Sequence, residues 1–322
     1  MRISRTIAVG IGLLATMAAP HAETYPSKPI RWIVPFPAGS AIDSISRAIA
    51  DKMALALGQP LVLQSMPGGG TVRATQYVAR QPADGYTLLT VTISAAIKSA
   101  VPKPPFDIRK DLAFVGQFSA SPLYLAVNAK LPVNSVQELI AYAKARPGAL
   151  NVSSYGIGTL SHLTAELFMY STGARMIHVP YPGSTANGMA VAQGDTQVTF
   201  DVADTLRQHR DRGMLRYLAV TSGERWPDTP ELPTLAESGV PQVDIQTWGG
   251  IAVPPGTPPE IVARLSSALD VALKDPAVIA FFKQTGFGQL REATTPAQFA
   301  GLAGRTVDTF AKLIRDAHLD VE

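Results

Sequence analysis

Strand-like apolar runs and helical patterns take turns along almost the whole chain. Ile30-Arg31-Trp32-Ile33-Val34 reads as a strand. A Pro/Gly loop follows, then a helix whose Ile42, Ile45, Ile49, Met53 and Ala56 recur at three-and-four spacing on one face. Residues 61–63 and 87–92 read as strands with a helix over 71–80 between them, and 115–118 and 123–128 as the next strands. Ser135-Val136-Gln137-Glu138 has the form of a capping box opening a helix, which Pro147-Gly148 closes. Strands at 150–153, 177–179, 196–200 and 217–220 then alternate with helices near 160–172, 184–193 and 203–210. This βα order is the signature of open, mostly parallel sheets. The last third is helical instead: Thr257-Pro258-Pro259-Glu260 opens a helix over 258–274, and helices follow at 276–285 and 296–317. Such a tail is expected to pack back on one of the two βα sets.

The 322 residues are enough for two domains at about 150 residues each, with 46% hydrophobic and 16% charged residues in globular proportion. There is no cysteine, which excludes disulfides, thiolate metal sites and cysteine nucleophiles. Arg2 and Arg5 precede an apolar run from Ile7 to Pro20, too short to span a bilayer, and Ala22 supplies a small residue at its end. This reads as a secretory signal peptide over 1–22. With no cysteine after it, no lipid anchor is expected. Removing it takes away Arg2 and Arg5 and no acid, so 26 basic residues remain against 25 acidic ones. A mature chain so nearly neutral carries no broad footprint for nucleic acid or an anionic membrane.

Enzyme motifs are missing: there is no His-Glu-x-x-His, no Gly-x-Ser-x-Gly and no Gly-Lys-Ser/Thr phosphate loop. His162, His178, His209 and His318 show no metal-ligand spacing, and His178 reads as a hydrogen-bonded core or rim residue. No metal or other cofactor is expected.

Three loops stand out. Phe36-Pro37-Ala38-Gly39-Ser40-Ala41-Ile42-Asp43 joins the first strand to its helix, which puts a helix N-terminus at the carboxyl edge of a sheet, where anions are favoured. Spacing alone equally allows a plainer role, with Ser40 an N-cap and Asp43 paired to Arg47 one turn on. Pro67-Gly68-Gly69-Gly70-Thr71 permits close backbone approach and is a weak signal alone. Ser154-Tyr155-Gly156-Ile157-Gly158-Thr159-Leu160-Ser161-His162 is again strand, glycine turn and helix. It fails the dinucleotide fingerprint, because Ser161 stands at the third glycine and no acid closes a strand about 20 residues on. Two anion-friendly loops, one in each expected lobe, point to a cleft.

Several segments together resemble a known family. Val34-Pro35-Phe36-Pro37-Ala38-Gly39 with Asp43, Pro67 to Thr71, and Pro82-Ala83-Asp84-Gly85-Tyr86-Thr87 are similar to the Bug-type receptors, the extracytoplasmic substrate-binding proteins of the tripartite tricarboxylate transporter family. The likeness continues through Ser161-His162-Leu163, His178-Val179-Pro180-Tyr181, Phe200-Asp201, and Pro233 to Gly239. It covers essentially the whole mature chain, and it is the combination that is specific.

The resemblance implies an α/β, two-lobed periplasmic binding protein fold, a clamshell of mixed, mostly parallel sheets with helices on both faces. The expected division is lobe 1 from 23–120 plus 250–322 and lobe 2 from 121–249, with crossovers near 119–128 and 246–254. It also implies capture of a small carboxylate, partly through ordered water. Phe36, Ala38, Gly39, Ser40 and Asp43 would hold it from one side and Gly158, Thr159 and Ser161 from the other. Tyr181 and Asp201 are weaker candidates for the ligand's distal end. Partners would be the carboxylate ligand and the membrane permease subunits of such a transporter, with the receptor a periplasmic monomer. A sensor subunit feeding a signalling partner, or a secreted enzyme acting on a carboxylate, are the alternatives. The chain departs from the family pattern at Ser40, where a second glycine is usual, and at Arg73, where a small residue is usual. Arg73 is expected to face solvent or the cleft rim.

Overall fold

Strand β1 (Ile30–Val34) alternates its side chains between two layers of core. Ile30, Trp32 and Val34 pack into one apolar cluster and Ile33 into another, as the two-residue period of a strand covered on both faces requires. The computed structural model describes residues 25–285, 289–290 and 294–321; the expected leader over 1–22 lies outside the described residues.

After β1 come α1 (Ala41–Leu57), β2 (Leu61–Ser65), a 3-10 turn at Gly69–Thr71, α2 (Val72–Ala79) and β3 (Thr87–Thr92). Helices α3 (Ile93–Ala100) and α4 (Ile108–Asp111) lead to β4 (Ala113–Pro122). Residues Ile42, Ile45, Ile49 and Met53 of α1 are buried, as their spacing predicts, and Gly58 ends the helix in the left-handed region with φ 73°.

The chain then builds a second sheet with β5 (Tyr124–Asn128), α5 (Val136–Ala145), β6 (Asn151–Ser154), α6 (Leu160–Thr172) and β7 (Ile177–Pro180), followed by α7 (Ser184–Gln193), β8 (Val198–Asp201), α8 (Ala203–Asp211) and β9 (Leu215–Val220). Ser135 caps α5 as expected, accepting from the Glu138 amide at 3.1 Å. The Glu138 carboxylate returns to the Asn134 amide, one residue earlier than in the usual box.

Strand β10 (Gln246–Val253) returns to the first sheet, followed by α9 (Pro259–Leu273), α10 (Pro276–Thr285), β11 (Gln289–Leu290) and α11 (Pro296–Asp316). Pro258, not Thr257, occupies the N-cap of α9, and the Thr257 hydroxyl donates to the Pro254 carbonyl instead.

The strand orders are β11-β4-β10-β3-β1-β2 and β7-β6-β8-β5-β9. Pairing is parallel among β2, β1 and β3 and among β7, β6 and β8. Every antiparallel ladder among the described residues involves β4, β5 or β10, the strands by which the chain changes sheet. Helices α1, α9 and α10 cover one face of the first sheet, while α2, α3 and α11 cover the other. The second cluster continues into the other sheet, so Ile33 and Phe299 share one apolar core with Leu125, Val127 and Phe168. The helical tail packs mainly on the first sheet through α9 and α11, and α11 also reaches α6.

Candidate functional site

A cavity of about 710 Å³ lies between the sheets, walled by the start of α1, the Gly69-Gly70 turn, α3, the loop from Tyr155 to Leu160, and the β10 residues Thr247 to Gly249. This size is within the range of small-molecule sites. Phe36, Ile42, Ile93, Ile97, Ile157 and Trp248 make much of the wall apolar.

On the first side, Gly39 turns the chain at φ 79° and Ser40 caps α1 in extended conformation. Ser40 Oγ accepts from the Asp43 amide at 3.3 Å. Asp43 is 1% exposed, and its carboxylate accepts from the Gly39 amide at 2.9 Å and from the Arg47 guanidinium at 2.9 Å. Burial alone would raise the Asp43 pKa, but the Gly39 and Arg47 hydrogen bonds outweigh it and hold the carboxyl below its usual range. Both roles of the plainer sequence reading are therefore present. Asp43 braces the loop from behind, and Arg47 balances its charge, so the surface presented is Phe36, the Ser40 hydroxyl and the first turn of α1 at Ala41 and Ile42. Amides that open a helix have no intrahelical acceptor, and the helix dipole adds to their pull on an anion.

On the second side, Gly156 and Gly158 have φ 140° and 67°, which lets the chain fold tightly before α6. The Thr159 hydroxyl donates to the Gly156 carbonyl at 2.6 Å, so it closes the turn and leaves α6 without a side-chain cap. Gly158 donates its amide to His162 Nδ1 at 3.1 Å; the ring therefore carries no proton on that nitrogen. His162 stacks on His178 with ring centroids 3.9 Å apart, and His178 Nε2 is hydrogen-bonded to the Ser154 hydroxyl at 2.7 Å. Burial first, and the neighbouring His162 second, push the His178 pKa down to about 4.

The expected residues sort into two sets. Phe36, Ser40, Gly158 and Thr159 wall the cavity together. Ala38 and Gly39 are exposed on the loop outside it, and Tyr181 lies half-buried beyond β7, with its amide on the Ser154 carbonyl at 2.8 Å. Ser161 is fully buried and donates its hydroxyl to the Phe200 carbonyl at 2.6 Å. The α6 start also faces Tyr155, a cavity residue.

Asp201 is also fully buried, accepting from Asn187 Nδ2 at 2.7 Å and from the Val202 amide at 2.8 Å. Burial pushes its pKa up to about 6 despite those bonds. Burial and the Asp201 charge together raise the Tyr155 pKa, keeping the phenol a neutral donor. Arg73 is exposed on α2 and borders a separate surface pocket with Arg80, not this cavity.

The sequence reading missed Tyr155 as a wall residue, together with Thr247, Trp248 and all of α3. Helix α3 brings Thr92, Ser94 and Lys98 to the cavity. Its signal was weak, because it begins on the residue after β3 with no turn between and no side-chain cap. The Ile93, Ala96, Ile97 and Ala100 spacing would have revealed it.

Comparison with known proteins agrees with this architecture. Residues 45–319 match the family described as the tripartite tricarboxylate transporter family receptor. Protein BugT of Bordetella pertussis is 35% identical over 323 aligned positions, covering 98% of each chain. A TctC solute binding protein from Polaromonas superposes with a TM-score of 0.83 at 26% identity, covering 91% of this chain and all of that one. An R. palustris protein solved with adipate superposes at 0.71 with 30% identity, over 91% of this chain and 98% of that one. With two sheets, two crossovers and a cavity between the sheets, the chain belongs to the tripartite tricarboxylate transporter receptor family and is a solute-binding receptor of the two-lobed periplasmic type.

Proposed function

We propose that this receptor captures a small carboxylate-bearing solute in the cavity and delivers it, chemically unchanged, to the membrane permease of a tripartite tricarboxylate-type transporter. One observation carries the reading: two helix starts, those of α1 and α6, wall the same cavity from opposite sheets. The α1 start offers the Ser40 hydroxyl and the first N–H groups of the helix, and the α6 start offers its first helical N–H groups beside the Tyr155 phenol, a surface suited to an anion. Support also comes from the relative solved with adipate.

In this reading Phe36, Ser40, Gly158 and Thr159 touch the ligand, while Ala38, Gly39, Asp43 and Ser161 shape the loops that carry them. Asp201 acts through Tyr155, and Tyr181 lies at the margin. The lobes are 23–120 plus 250–322 and 121–249, closing on the ligand about the crossovers. The receptor works as a monomer, exported by the segment 1–22.

The test is a thermal-shift screen of carboxylic acids on mature protein, followed by calorimetry. A ligand at a hundredfold its Kd stabilises the folded state by about 2.7 kcal/mol. One acid should bind per chain and be recovered intact by mass spectrometry. Conversion of the acid would make the protein an enzyme, and a screen with no shift would remove the carboxylate.

A further inference from the structure

Among the described residues that wall the cavity, Lys98 is the single charged side chain. It sits in the last turn of α3, half-buried, beside Gly70: a Cβ added at Gly70 would stand 3.2 Å from Lys98 Cε. No carboxylate and no hydrogen-bond acceptor engages its ammonium among the described residues. The other cationic group near the donor loops, Arg47, is already committed to Asp43. A half-buried ammonium without a counter-ion in a largely apolar wall is free to donate a charge-assisted bond to an anion that enters the cavity.

A second observation lies on the same helix. Thr92, the N-cap of α3, walls the cavity and is only 8% exposed, yet its hydroxyl has no hydrogen-bond partner. Ser94 stands one turn before Lys98 on the same helical face, and helical side chains lean towards the N-terminus. Lys98, Ser94 and Thr92 all wall the cavity, and the Lys98 stem passes Gly70. Together these make a hydroxyl-and-ammonium patch on α3, an element separate from the two donor loops. Apolar residues, Ile93 and Ile97 among them, share the wall with it.

We propose that Lys98, with Ser94 and Thr92, forms a second anion subsite, so that the ligand is a dicarboxylate with an apolar spacer. The proposal rests on the carboxylate reading above and deepens it. The first carboxylate takes the neutral donors of the α1 and α6 starts. The second forms a charge-assisted bond with Lys98. An acid with one carboxylate would leave that ammonium unpaired.

The test is calorimetry with straight-chain diacids of four to ten carbons and phthalate isomers, each beside the monoacid of matching length or ring. Wild-type protein should bind its preferred diacid about ten- to a hundredfold more tightly than the matching monoacid. In Lys98→Met, which keeps the length of the side chain and loses the charge, that ratio should fall to about one. Lys98→Arg should restore most of it. Tm values within a few degrees of wild type confirm that each variant is folded. A wild-type protein that binds the monoacid as well as the diacid would overturn the second subsite and leave the carboxylate reading standing. So would a Lys98→Met ratio equal to that of wild type. Failure of every diacid and monoacid to bind would overturn both.

Discussion

Leu123 and Thr221 hold each other where the chain passes between the sheets. The Leu123 amide donates to Thr221 Oγ1 at 2.9 Å, and the Thr221 amide donates to the Leu123 carbonyl at 2.9 Å. The same hydroxyl donates to the Ile245 carbonyl at 2.6 Å, and the Ile245 amide returns to the Thr221 carbonyl at 2.9 Å. One fully buried threonine thus ties the first crossover, at the β4–β5 junction, to the second, at the start of β10.

Thr221→Val keeps the shape but leaves the Leu123 amide and the Ile245 carbonyl buried without a partner. Each orphaned group costs about 1–3 kcal/mol. A clear fall in Tm is expected, whereas Thr221→Ser, which keeps the hydroxyl, should lose much less. Equal Tm values for the two variants would show that the methyl group, not the hydroxyl, matters at this crossover.

Ser40 offers a way to locate the first carboxylate. Ser40→Ala removes one hydroxyl and leaves backbone donors, so affinity should weaken by about tenfold or less. Ser40→Asp keeps the N-cap, since aspartate caps as well as serine. It also puts a fixed anion where the ligand's anion must sit, so binding should fall by about a hundredfold or more, with little change in Tm. Near wild-type affinity for Ser40→Asp in calorimetry would mean that the carboxylate binds elsewhere.

The second donor loop is pressed by the end of the chain. A Cβ at Gly158 would meet the Val321 carbonyl oxygen at 2.7 Å, and Gly158 also has φ 67°. Gly39 has a similar φ of 79° with nothing within 4 Å of such a Cβ. Gly39→Ala should therefore cost only the left-handed backbone term, about 1–2 kcal/mol. Gly158→Ala should cost more and also weaken ligand binding, because the loop and the tail must shift apart. Equal losses of Tm in the two variants would sink the idea that the tail shapes this loop.

A half-buried histidine and a fully buried aspartate give stability opposite pH dependences. The His178 pKa falls from 6.5 unfolded to about 4 folded, so between those values the unfolded chain binds the extra proton. Its contribution is complete above about pH 6.5 and is lost as pH falls towards 4. Asp201 rises from 3.8 to about 6, so there the folded chain binds the extra proton. Its contribution is complete below about pH 3.8 and is lost as pH rises through 6. Measured as Tm against pH, the advantage of wild type over His178→Gln should shrink as pH falls from 6.5 to 4. Asp201→Asn should gain on wild type as pH rises from 4 to 6. A constant offset in either series would remove that assignment.

Much of this protein was legible in the sequence because local rules fixed it. The buried face of α1 follows from the spacing of Ile42, Ile45, Ile49 and Met53, and its start from Ser40. The glycine turns at Gly39, Gly156 and Gly158 are backbone requirements, and the turn from Gly156 to Thr159 closes on itself through a 2.6 Å bond. Those short-range patterns were enough to mark both donor loops.

What they could not show is which way a side chain faces once the sheets come together. Asp43 and Ser161 lie beside cavity residues in the chain, yet Arg47 and the Phe200 carbonyl draw their polar atoms inward. Asp201 is not in the cavity wall, and its charge is felt at Tyr155, 46 positions earlier in the sequence. Lys98 escaped notice because α3 carries no turn or cap signal, and a lone lysine on a short helix usually faces solvent. Its place in the cavity wall depends on β3 leading straight into α3, on the Gly70 turn beside it and on β10 returning from the other lobe. Thr247 to Gly249 stand more than a hundred positions from Lys98, and no local periodicity encodes their meeting.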